Sequence, residues 1–178
     1  MKKSVTGLFL AVCLMMALTV SAQQQRSQLA IGLGPNLNFD PGRVGISGYV
    51  KWYAPGLDMD HKGLVLTAKA THTPPSEGGF FKVFDGGKYD NITTGHLLIG
   101  YRFDFPYGLP TAGKVFYLEP SVGAGLLEPG NVGFSFSPQL GLAFDANWEG
   151  FLSYHGSWGS DSRNINLLEL GAAYRFKL

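Results

Sequence analysis

From Leu29 onward the chain alternates apolar and polar positions in runs of about ten residues, broken by segments rich in Gly, Pro and Asp. Alternation of period two sends successive side chains to opposite faces of a strand. Leu29, Ile31, Leu33, Leu37 and Phe39 mark a first strand, which Asp40-Pro41-Gly42 turns. Val44, Ile46, Val50, Trp52 and Ala54 mark a second, and Leu64, Leu66, Ala68 and Ala70 a third. Leu97, Ile99, Tyr101, Phe103 and Phe105 carry the fourth, and Phe116, Leu118, Val122, Ala124 and Leu126 the fifth. Phe134, Phe136, Leu140, Leu142 and Phe144 carry the sixth, and Trp148, Leu152 and Tyr154 the seventh. The stretch Asn166 to Leu178 supplies the eighth, with Leu168, Leu170, Ala172, Tyr174, Phe176 and Leu178 on one parity.

Eight strands in phase, joined by turns, predict an all-β fold: an eight-stranded antiparallel up-and-down transmembrane β-barrel. Two features sit awkwardly on this pattern. A connection from about Thr73 to Thr93 is long, and its Phe80 to Phe84 centre followed by Asp85-Gly86-Gly87 reads as a small hairpin. It either extends beyond the membrane or adds two spanning strands. Pro120 and Pro138 interrupt the fifth and sixth strands at similar distances from the Pro129-Gly130 turn, so they are expected to meet near one local bulge.

The N-terminal segment follows another order. Lys2 and Lys3 precede an apolar run from about Leu8 to Val20, and Val20-Ser21-Ala22 closes it. Residues 1–22 therefore read as a cleavable secretory signal peptide, which leaves residues 23–178 as one barrel domain. Cys13, the single cysteine, lies inside that segment, so residues 23–178 hold no disulfide and no thiolate site. Net charge is +1 and charged residues are 15% of the chain, without basic or acidic blocks, which excludes a nucleic-acid-binding class.

Alternation does not say which face points inward; composition does. The polar parity is rich in Gly, Ala, Ser and Thr, a poor solvated surface. The apolar parity carries Trp52, Tyr101, Phe103, Phe105, Trp148, Tyr154, Tyr174 and Phe176 mainly toward strand ends, where aromatic girdles meet the lipid interface. The polar parity also balances its charges. Lys51, Lys69, Arg102, Arg175 and Lys177 stand against Asp104, Glu119, Asp145, Glu149 and Glu169. Because a buried charge needs a partner, equal numbers predict a salt-bridge network that plugs the lumen.

Strand number, alternation and the ending Tyr174-Arg175-Phe176-Lys177-Leu178 resemble the small outer-membrane barrels of the OmpA and OmpX type. The resemblance implies the outer membrane of a Gram-negative bacterium, contact with outer-membrane lipid and lipopolysaccharide, and recognition of the C-terminal strand by the barrel-assembly machinery. A local resemblance points elsewhere. His155-Gly156-Ser157 followed by Glu169 looks like the His-x-Ser and later Glu of the outer-membrane lipid A deacylases. That family would make Ser157 the nucleophile, His155 its base and Glu169 the group orienting the base. Trp158 stands where that family usually has Asn, and the three residues fall on the lumen parity, away from arriving acyl chains. His61, His72 and His96 have no metal-ligand spacing, and no cofactor is implied. The reading adopted is a non-enzymatic barrel with a structural or surface-interaction role through its outer loops, with a lipid A esterase as the alternative.

Overall fold

The computed structural model describes residues 27–39, 42–54, 62–75, 91–105, 114–128, 131–144, 147–159 and 164–177. They form β1 (Gln28–Asn38), β2 (Arg43–Tyr53), β3 (Lys62–Thr73), β4 (Ile92–Phe105), β5 (Val115–Glu119), β6 (Ser121–Glu128), β7 (Asn131–Phe136), β8 (Gln139–Ala143), β9 (Trp148–Trp158) and β10 (Ile165–Lys177). These ten segments make eight staves. β5 and β6 are the halves of one stave on either side of Pro120, and both pair with β4. β7 and β8 are the halves of the next, and both pair with β9. All pairs are antiparallel, and β10 pairs with both β9 and β1, which closes the sheet into a barrel. The left-handed conformation at Gly42, with φ 76°, completes the turn between β1 and β2 at the residue that tolerates it best.

The prolines meet as expected, but they make no bulge. Glu119 faces Gln139 and Val122 faces Phe136 in one unbroken frame, which sets Pro120 opposite Pro138. Tyr101 N donates to Pro120 O and Tyr154 N to Pro138 O, each at 3.1 Å, while Ser137 N donates to Ser121 O at 2.7 Å. Each missing proline N–H thus falls on the side facing β4 or β9, so the stave loses a hydrogen bond and keeps its register. The register shift lies between Leu126 and Glu128 instead. Pro35 is a third such site: the β1–β10 ladder omits Gly34 and Pro35 and resumes at Asn36 opposite Glu169.

β4 begins at Ile92, earlier than the apolar alternation suggests. Its first residues pair with the end of β3, and the inward hydroxyls of Thr94 and Thr71 share a hydrogen bond of 2.7 Å. β-Branched residues on a polar face build a strand that a search for apolar alternation passes over. Residues 1–22, the Phe80 to Phe84 stretch and Asp145 lie outside the described residues.

Alternation along each stave divides the barrel into wall and interior. Ile31, Leu33, Ile46, Leu97, Ile99, Leu126, Leu140 and Leu170 are exposed on the wall, with Leu33 and Leu170 each 63% exposed. A contiguous apolar exterior of this extent is a lipid-facing surface, and closure leaves no strand edge in the bilayer. Aromatic rings gather at both ends of the wall. Trp148, Tyr174 and Phe176 contact one another near the ends of β9 and β10, with centroids 5.0 and 4.8 Å apart. At the other end Phe134 stacks on Trp158.

Candidate functional site: the barrel interior

The inward positions follow one another along each stave, and they sort by chemistry. On β9 the order is Glu149, Phe151, Ser153, His155 and Ser157; on β4 it is Arg102, Leu98, His96 and Thr94, read from the end where β1 begins and β10 ends.

Nearest that end, Arg102 donates through Nη1 to Glu149 at 2.8 Å and through Nε to Asp104 at 2.6 Å. Its guanidinium lies over the Tyr117 ring, 3.6 Å from the centroid. Arg175 approaches the same Glu149 carboxylate at 3.7 Å. Asp104 and Arg175 are partly exposed here, whereas Glu149 is fully buried. Next, Lys51 ion-pairs with Glu119 and donates to Gln139 Oε1 at 2.9 Å, and Gln139 donates to Tyr117 Oη at 2.7 Å. Further along, Lys69 ion-pairs with Glu169. Asp145 and the Lys177 side chain lie outside the described residues.

Two rings in this region rest on glycines of the neighbouring strand. Tyr49 lies over Gly32 and Tyr117 over Gly141, so closely that a Cβ on either glycine would stand 2.4 or 2.1 Å from ring carbon. A barrel of eight staves is narrow, and glycine gives each ring room to lie flat against the inner wall.

Beyond Lys69 the interior holds hydroxyls, imidazoles and the amides of Asn36 and Asn38, and buried Arg43 donates through Nη1 to Pro74 O at 2.9 Å. His96 Nε2 is 2.7 Å from Thr94 Oγ1, and its Nδ1 is 3.1 Å from Ser135 Oγ. Ser135 Oγ is 2.8 Å from Ser157 Oγ, which is 2.9 Å from His155 Nε2. The two imidazoles meet edge to face, with centroids 4.2 Å apart. Leu127, Ile165 and Leu167, with Ile92 packed against them, form an apolar cluster near the ends of β6 and β10 at this side.

The sequence-identified trio is only partly assembled. Ser157 and His155 are in hydrogen-bond contact, but His155 Nδ1, the atom an orienting carboxylate would hold, has no partner among the described residues. Glu169 faces Lys69 and is opposite Ser153 in the register, while His155 is opposite Leu167. All three side chains are fully buried inside the barrel, and Trp158 faces the wall at 39% exposure. Ser157 thus points into the barrel, away from the lipid-facing wall.

The polar parity carried most of this inventory, including Tyr49 and His96. This apolar cluster was not identified, because Leu127 and Leu167 fall on the parity that polar residues dominate. Among the described residues no group of three or more His, Cys, Asp or Glu is placed to hold a metal ion.

No protein-family model and no curated protein sequence matches the chain. Solved structures do. Ail, the attachment invasion locus protein of Yersinia pestis, is 17% identical, with a TM-score of 0.52 over 86% of this chain and 100% of that one. Neisserial surface protein A is 15% identical, with a TM-score of 0.52 over 86% of this chain and 96% of that one. At such identities the likeness speaks for architecture, and architecture does not fix activity. The chain folds as a small closed eight-stranded barrel of the outer-membrane type, held in the bilayer by its apolar wall.

Proposed function

We propose that this protein is a small integral barrel of a Gram-negative outer membrane, with an interior fixed by a charge network and a function in surface contacts made by its outer connections. The observation that supports this reading is the pairing inside: Lys51 with Glu119, Lys69 with Glu169, and Arg102 with Glu149 and Asp104. Side chains committed to one another leave little interior chemistry for a solute. The wall is committed to lipid and lipopolysaccharide, and the C-terminal strand β10 is the segment that the assembly machinery would engage. The strand ends remain. At the end opposite the start of β1 and the end of β10, the connection between Thr73 and Ile92 spans residues 74–91 and is the longest between consecutive strands. Of two solved barrels with this fold, one is named for attachment and invasion and the other as a surface protein.

The test replaces residues 74–91 with a short turn in cells expressing the protein. The barrel should keep its heat-modifiable migration on a gel while cell adhesion or resistance to envelope stress falls. Unchanged adhesion and unchanged envelope resistance in that variant would remove the reading.

A second reading, hydrolysis of lipid A acyl esters, rests on the Ser157–His155 contact. On the proposal made here, Ser157→Ala leaves the acylation pattern of lipid A unchanged by mass spectrometry. Loss of one acyl chain that depends on Ser157 would put the esterase first.

A further inference from the structure

Between the Lys51–Glu119 pair and Lys69 the packing leaves a small space of about 10 Å³, lined by Tyr49, Lys51, Lys69, Glu119, Ser121 and Ser137 among others. Two of the groups around it carry unmet hydrogen-bonding capacity. Tyr49 Oη and Glu119 Oε2 have no hydrogen-bond partner among the described residues, and Tyr49 is 5% exposed and Glu119 1%. Such atoms cost free energy unless something meets them, and the cost rises in a membrane interior where bulk water is absent.

The chemistry of the lining narrows the occupant. Glu119 Oε2 is an acceptor, so the occupant must donate a hydrogen bond, which disfavours a halide or other simple anion. Two cationic side chains, Lys51 and Lys69, line the space, which disfavours a metal cation. A neutral molecule that donates and accepts remains, and roughly 10–15 Å³ is the room one water needs. We infer that this cavity is a structural water site, in which one buried water donates to Glu119 Oε2 and accepts from Tyr49 Oη. The water joins the Lys51–Glu119 pair to Ser121 and Ser137, which line the same space. The inference concerns the interior alone and stands independently of what the outer connections bind.

The test is a high-resolution crystal structure of the full chain in detergent, with a second crystal grown in bromide. The expected result is one full-occupancy peak with two to four polar contacts of ordinary hydrogen-bond length and no anomalous signal for bromide. An anomalous peak would show an anion, contacts near 2.4 Å would show a metal cation, and an empty cavity would show that the two atoms stay unmet; each overturns the inference. In Tyr49→Phe the same peak should weaken or move while the Lys51–Glu119 pair persists, and an unchanged peak would overturn the role of Tyr49. If that variant does not fold, water-to-protein magnetisation transfer in the unmodified barrel decides the point. A long-lived water beside Glu119 is expected, and its absence rejects the site.

Discussion

At the residue scale the interior charges show what alternation reveals and what it hides. Alternation puts Lys51, Lys69, Arg102, Glu119, Glu149 and Glu169 on the polar parity, and all six are buried. Which cation meets which carboxylate does not follow from alternation, because partners lie on staves that become close only once the sheet has closed with its particular stagger. Lys51 and Glu119, for example, are 68 positions apart. The pairing has an energetic consequence. Removing one partner of a buried pair strands the other charge, at a cost of about 3–5 kcal/mol, whereas replacing both with apolar groups of similar volume is near neutral or stabilising. Glu169→Ala should therefore lower unfolding stability in detergent by about that much, and Lys69→Met with Glu169→Leu together should restore it. A urea titration of the three variants decides: if the double change is as damaging as the single one, the pair is not what Glu169 serves. Glycine gives a second case. A Cβ at Gly141 would stand 2.1 Å from a carbon of the Tyr117 ring, so Gly141→Ala should destabilise by about 1–3 kcal/mol through overpacking. In Tyr117→Leu, with the ring gone, the same change should cost less.

At the element scale the eight staves were visible in the sequence because each presents one face to lipid and one to a packed interior, the condition under which period-two alternation is sharpest. The exceptions have physical causes. The start of β4 was hidden by threonines, and Pro35 by the regular apolar positions on both sides of it. The paired prolines gave a correct meeting point and a wrong mechanism, since opposed prolines can preserve the frame that a bulge would break. Their arrangement leaves the carbonyls of Tyr101 and Tyr154 without the N–H that an ordinary residue opposite would supply. In a lipid-facing wall an unpaired backbone group costs several kcal/mol, more than the roughly 0.4–1 kcal/mol that proline contributes by restricting the unfolded chain. Pro120→Ala with Pro138→Ala should therefore stabilise the barrel, and the two new amides should be strongly protected from hydrogen exchange. Fast exchange at positions 120 and 138, or a loss of stability, would mean that the carbonyls are already satisfied by another donor.

For the whole molecule, the question is whether the interior passes ions. In the proposed plugged interior two barriers stand in the path: the apolar cluster of Leu127, Ile165 and Leu167 toward one end, and the ion pairs Lys51–Glu119, Lys69–Glu169 and Arg102–Glu149. An ion crossing the first must shed water against hydrocarbon, and one crossing the second must displace charges already neutralised by close partners. The second barrier is the deeper, since it runs through several layers of interlocked side chains. In planar bilayers the unmodified barrel should show no discrete conductance steps. Leu127→Ala with Leu167→Ala should cost roughly 2–5 kcal/mol of stability per site, yet remain without steps, because the charge pairs still close the path. Steps in that variant alone would locate the seal at the apolar cluster and reduce the charge layers to a structural role. Steps in the unmodified protein would mean that the pairs yield to passing ions, and the interior, rather than the outer connections, would then be where this barrel acts.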